Sequence, residues 1–279
     1  MPVVIIRTLR REYHLLCPDA QSASDLAFME ITPDMPEFDL QKVEIPLEID
    51  QGYYRLRLAQ NDVTEGSAGH ILNRLHRLIF DDVLESESGC PIFHGGTIIN
   101  PVDRSGRIVI LGPKGNGKTT LMLSLLEQGF QIEGDEHLIL REREVVARPR
   151  TLRVKSGSLR LIPSLTAAVE ASPRIENWDG VNYYSFNPKA AGLPWTISPG
   201  RLDHIVLLQA NHGGRSLVHP MRPEAGLAQA VKEAIFPRSA PGSAFARMRA
   251  AMLGVKCHCL RLGDLQSVGQ LLMGVARRN

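Results

Sequence analysis

No apolar run in this chain approaches the length of a membrane span, so no stretch reads as a transmembrane helix. Neither charge is in real excess. The 32 Lys and Arg stand against 30 Asp and Glu, and that near-balance removes the global field that nucleic acid or a membrane surface would select. No nucleic-acid and no membrane partner is therefore expected. Cysteine is scarce: Cys17, Cys90, Cys257 and Cys259 are unevenly spaced, which argues for reduced thiols and a cytoplasmic protein. Cys257-His258-Cys259 has metal-ligand residue types but no second ligand pair nearby, and the alternation from Val255 to Leu262 reads as a strand. The N-terminus runs Val3-Val4-Ile5-Ile6 before Arg7, the wrong order for a signal peptide and a good first strand. Internal repeats and low-complexity segments are lacking as well.

What is present fits one large domain with a smaller addition. Val43 to Ile49 and Tyr53 to Leu58 alternate apolar with charged or polar residues, so residues 1–66 are expected as a small, mostly-β N-terminal region of α/β type. Residues 67–279 are expected as the catalytic domain. That domain opens on an amphipathic helix with Ile71, Leu72, Leu75, Leu78 and Ile79 at helical spacing.

The sequence is organised around Arg107 to Leu111, a buried strand, followed by Gly112-Pro113-Lys114-Gly115-Asn116-Gly117-Lys118-Thr119-Thr120 and a helix start. Glycine, four residues, glycine, lysine and threonine between strand and helix is the phosphate-binding loop pattern. Glycines let the backbone curl its N–H groups around phosphate oxygens, and the helix dipole points at the same anion. Lys118 would reach the β- and γ-phosphates of ATP, and the Thr119 hydroxyl would sit on Mg²⁺. The strand before it, Ile92 to Ile99, is reached by a short turn, so a hairpin is expected in place of a helical crossover. Gly95 and Gly96 interrupt that strand, which suggests close approach by a ligand or another backbone and places His94 beside the nucleotide.

After the loop comes a helix that is apolar nearly all round, a glycine at 129, and the strand Phe130 to Glu133 running into Gly134-Asp135-Glu136. That order brings Asp135 and Glu136 to the carboxyl edge of the sheet, where ligands bind. One carboxylate there can hold magnesium and another can take a proton from an attacking hydroxyl. Arg148, Arg150, Arg153 and Lys155 follow on a strand-like stretch; they could meet phosphate or an acidic substrate, but a solvated strand face is the stronger expectation. From about 171 to 200 the periodicity is lost and Trp178, Tyr183, Tyr184, Phe186 and Trp195 gather, which reads as a long functional loop, a lid. The remainder alternates strands and helices.

Taken together, His94-Gly95, the hairpin, Gly112 to Thr120, Gly129 and Gly134-Asp135-Glu136 resemble the catalytic domain of the HPr kinase/phosphorylase family, over about Ile92 to Leu140. The resemblance implies an α/β fold of the type shared with phosphoenolpyruvate carboxykinase, in which a mixed sheet carries the loop. It implies ATP- and Mg²⁺-dependent phosphorylation of a serine or threonine hydroxyl on a peptide or protein, and a homo-oligomer. By the same likeness Asp135 is the acid/base, Lys118 the phosphate clamp, Thr119, Asp135 and Glu136 the metal set, and His94 a conformational or nucleotide-proximal residue. Glu136 stands where the family has Asp, and the family's Glu-Ile-Arg-Gly segment has no counterpart here, so reverse phosphorylase activity is not implied. Relatives of this type include kinases of modified-peptide pathways, among them lasso-peptide kinases. Two other readings remain open: a small-molecule kinase resembling shikimate or gluconate kinases, and a nucleotide-dependent switch without chemistry.

Overall fold

The computed structural model describes residues 1–50, 52–59, 62–87, 89–176, 180–238 and 240–277; Trp178 lies outside them. Strands β1 (Val3–Arg7) and β2 (Arg11–Leu16) pair antiparallel, and β1 begins where the apolar N-terminal run predicts it. Helix α1 (Ala20–Leu26) is started by Asp19, whose carboxylate accepts from the Ser22 amide at 2.8 Å. β3 (Gln41–Asp50) then lies parallel to β2, and β4 (Tyr53–Ala59) and β5 (Asp62–Gly66) continue the same sheet antiparallel. Helix α2 (Ala68–Ser86), capped by Ser67, buries Ile71, Leu75, Ile79 and Val83, each four residues from the last, as an amphipathic stripe requires. Leu56 of β4 and Leu75 of α2 share one apolar cluster with Phe93, Val109 and Leu138 of the next sheet. The N-terminal sheet is thereby cemented to the part of the chain that carries the phosphate loop.

β6 (Ile92–Ile99) and β7 (Gly106–Leu111) form the expected hairpin, and the phosphate loop leads from β7 into α3 (Lys118–Glu127). β8 (Ile132–Gly134) and β9 (His137–Arg141) pair with β6 one after the other, both antiparallel, so they form one line broken at Asp135 and Glu136. Because β6 is antiparallel to both β7 and β8, β8 runs in the same sense as β7. Its carboxyl end therefore reaches the loop, although β6 and not β7 is its hydrogen-bonded neighbour. The glycines of β6 make room for protein rather than for ligand. A Cβ at Gly95 would stand 2.6 Å from the carbonyl oxygen of Ile110, and one at Gly96 would stand 2.7 Å from the Met122 sulfur of α3.

β10 (Glu144–Ala147) returns beside β9, after which the chain leaves the sheet. β11 (Leu152–Lys155), β12 (Arg174–Glu176) and β13 (Asn182–Phe186) build a small separate sheet in the order β11-β13-β12, with α4 (Thr166–Glu170) beside β13. This corrects the expectation of an unstructured loop from 171 to 200. Of its described aromatics Tyr184, Phe186 and Trp195 are buried, and the burial of Tyr184 and Phe186 supports a strand that the polar sequence around them conceals. β14 (Gly200–Ala210) then lies parallel to β7. β15 (Leu217–Met221), α5 (Pro223–Lys232), β16 (Ala234–Ile235), α6 (Pro241–Ala251), β17 (Lys256–Leu262) and α7 (Val268–Ala276) complete the chain. The larger sheet runs β10-β9-β6-β7-β14-β17-β15; β7, β14 and β17 are parallel and the flanking strands antiparallel, so it is a mixed sheet. Cys257 and Cys259 lie on β17 as expected, and among the described residues no group of three or more His, Cys, Asp or Glu is placed to hold a metal.

Candidate active site

The carboxyl end of β7 opens into a pocket of about 420 Å³ whose lining includes the phosphate loop, His94, Asp135, Glu136, Arg150 and Arg153. The loop is shaped by glycine where the backbone demands it. Gly115 and Gly117 sit at φ +91° and +86°, the left-handed region that other residues avoid. Gly117 is also the residue before α3, and no side chain caps that helix, so its first amides are left for an anion. Asn116 ties the loop down by donating to the Leu208 carbonyl of β14 at 3.4 Å. The Lys118 ammonium folds back over the loop and donates to the Gly112 carbonyl at 2.5 Å and the Pro113 carbonyl at 3.2 Å. Burial lowers its pKa, with Glu233 and Asp135 pulling the other way.

Across the pocket, the Thr119 hydroxyl donates to Asp135 Oδ2 at 2.9 Å. The residue that follows β8 and the second residue of α3 thus share one hydrogen bond, sixteen positions apart in the chain. Asp135 is only 8% exposed. Burial pushes its carboxyl above the usual range, while Arg150, the Thr119 hydroxyl, Arg153 and His94 draw it back. Glu136, expected with these two as a metal ligand, lines the same pocket, but its carboxylate is ion-paired with Arg148 at 3.2 Å and with Arg150. His94 lies in the pocket wall with its ring 6.5 Å from that of His137. Burial and the nearby Lys118 lower its pKa, which keeps it neutral at pH 7.

The arginines after β10 are not a solvated face, contrary to the sequence expectation. Alternation along β11 buries Leu152 and Val154 in the core under α3. Arg153 and Lys155 consequently project from the other face, and that face looks into the pocket. Arg153 is anchored from the N-terminal region: its guanidinium lies 3.8 Å from the centre of the Phe28 ring and donates to the Phe28 carbonyl at 3.2 Å. Ser158 of the lining carries no sequence signal, whereas Tyr183 is one of the aromatics expected in a lid. Ser158 accepts from the Thr120 hydroxyl at 3.2 Å, and Tyr183 of β13 has the Lys155 ammonium 5.6 Å from its ring centre. The usable signal was four basic residues between 148 and 155, with apolar residues in the alternate places of the strand. Behind Asp135, a buried pair fixes the end of β8. Arg107 of β7 donates to both oxygens of Glu133 at 2.6 and 3.1 Å, and Ser198 joins them.

One solved structure with a similar chain is the Hpr(Ser) kinase/phosphatase from Coxiella burnetii. It is 14% identical, and the match covers 67% of this chain and 93% of that one at a TM-score of 0.31. No protein-family model matches the sequence, and no curated protein matches it. Among the described residues no helix is long and apolar enough to cross a membrane.

Proposed function

We propose that the protein is an ATP- and magnesium-dependent phosphotransferase that acts on a serine or threonine hydroxyl of a peptide or protein. The observation that carries the reading is the Thr119–Asp135 hydrogen bond, which joins the hydroxyl of a phosphate loop to a buried carboxylate in one pocket. The residues present fit the groups the reading requires. Curled loop amides, the uncapped start of α3 and the Lys118 ammonium suit a triphosphate. Thr119 and Asp135 offer the hard oxygen donors that magnesium prefers, and they would hold it. When bound, the metal nucleotide supplies the transferable phosphoryl group and part of the charge that balances it.

The chain's own residues then have separable roles. Lys118 exchanges its two loop carbonyls for phosphate oxygens. Asp135, with its carboxyl raised by burial, is a better proton acceptor than a free aspartate and takes the proton of the acceptor hydroxyl. His94 borders the site as a neutral imidazole able to donate or accept a hydrogen bond. Residues 67–279 carry this chemistry, and residues 1–66 support it through Phe28. The test is incubation with ATP, Mg²⁺ and a panel of serine- and threonine-containing peptides, read by mass spectrometry. One added phosphate on a hydroxyl, lost in Lys118→Ala, is the expected result; phosphate transfer that persists in that variant rules the assignment out.

A further inference from the structure

Three arginines follow β10 within six residues, and the protein does not satisfy them. Among the described residues Arg148 Nε, Arg150 Nε, Arg153 Nε and Arg153 Nη2 are buried without a hydrogen-bond partner. Buried polar hydrogens of this kind are uncommon, and on a cation they are more costly still. Burial and repulsion from Arg150 push the Arg153 guanidinium down to about 9. A guanidinium keeps its proton in proteins, so this shift expresses demand for an anion.

Glu136 meets part of that demand, through Arg148 and Arg150. Arg153 makes no direct ion pair among the described residues, and Asp135 reaches it only through space. Its contacts are the Phe28 ring and the Phe28 carbonyl, which hold it in the lining beside Lys155. The charge of the whole lining points the same way. Lys114, Lys118, Arg150, Arg153 and Lys155 face Asp135 and Glu136, five cations against two carboxylates, which leaves three positive charges. A magnesium triphosphate brings about two net negative charges. About one positive charge is then left over, and of the lining cations outside the phosphate loop Arg153 and Lys155 are the two without an ion pair among the described residues.

From this we infer that the phosphoryl acceptor carries an oxyanion of its own, a carboxylate or a phosphate, bound by Arg153 and Lys155 beside the reacting hydroxyl. The inference rests on the phosphotransferase reading and names the chemistry of its acceptor. An anchored guanidinium is suited to the task because its fork is already oriented when the acceptor arrives.

The test begins with the full chain and the magnesium complex of a non-hydrolysable ATP analogue, by calorimetric titration. Failure of the analogue to bind sinks the nucleotide reading and this inference with it. The loaded protein is next titrated with inorganic phosphate and, separately, with malonate. Saturable binding of one of them at a single site is expected, and the better binder identifies the acceptor's anion as phosphate or carboxylate. Arg153→Gln should weaken that binding at least tenfold and Lys155→Gln about threefold, with analogue affinity held within twofold. Lys155 is exposed, so its variant tests the site even if Arg153→Gln fails to fold. Absence of anion binding to the loaded protein overturns the inference. So does an equal loss of analogue affinity in the two variants, which would assign these cations to the nucleotide.

Discussion

Lys118 spends its ammonium hydrogens on two carbonyls of its own loop, and Asp135 accepts from the hydroxyl next door to it. Both groups are therefore positioned before any ligand arrives, and that has a consequence for pH. A carboxyl raised by burial gives up its proton only as the pH climbs past its raised value, so in the metal-free protein Asp135 should titrate above the ordinary range of aspartate near 4. The carboxyl-carbon NMR shift of the metal-free protein at each pH gives that titration; a midpoint at the ordinary range would contradict the effect of burial. Lys118→Ala should reduce transfer by about a thousandfold or more, the scale on which phosphate-clamping charges act. The positions of Lys118 and Thr119 were legible in the sequence because the loop pattern fixes the backbone locally, and that of Asp135 because the strand after the loop helix ends beside the loop. Arg153 and Lys155 were not legible. Alternation in β11 says which residues are buried, but not that a pocket lies on the opposite side in place of water.

At the scale of the element, the broken line of β8 and β9 is what presents Asp135, and its lower end is held by Arg107 and Glu133. Removing Glu133 leaves a buried guanidinium unpaired, so Glu133→Ala should destabilise the fold by about 3–5 kcal/mol in a urea titration. A loss near zero would mean that the pair does not anchor the strand. The two glycines of β6 make a finer comparison. Gly95→Ala drives a methyl against the Ile110 backbone carbonyl, whereas Gly96→Ala meets the flexible Met122 side chain. The first should lower stability by about 2–3 kcal/mol and the second by less than half of that. The β6–β7 hairpin and α3 were legible from spacing and glycine placement. β12 and β13 were not, since their short polar runs carry no period and Tyr184 and Phe186 are what seats β13 in the core under α3.

Over the whole molecule, the apolar cluster that begins in β1 continues through α2 into the strands behind the phosphate loop. Its polar border holds two neutral imidazoles, with burial depressing His76 to about 4 and His137 to about 3. The unfolded chain takes up these protons as the pH falls through about 6.5, and the folded chain takes them up only well below that. Their contribution to stability is therefore complete above about 6.5 and is lost as the pH falls from there toward the folded values. Between pH 7.5 and 5.0 the loss should approach about 2 kcal/mol for each histidine, read as a falling urea midpoint that His137→Gln makes less steep. The mixed order of the larger sheet, with parallel β7, β14 and β17 flanked by antiparallel strands, follows the expected fold class. The docking of the N-terminal region through Phe28, in the turn after α1, onto Arg153 was beyond sequence reasoning, because a cation and a ring 125 residues apart carry no shared local pattern.

The most direct test of the account is to separate nucleotide binding from transfer in one variant. In Asp135→Asn the affinity for ATP measured without Mg²⁺ should stay within a few-fold of the parent while peptide phosphorylation in the presence of Mg²⁺ falls by about two to four orders of magnitude. Undiminished phosphorylation in that variant would contradict the role of Asp135 and favour a nucleotide-binding protein whose carboxylate does no chemistry.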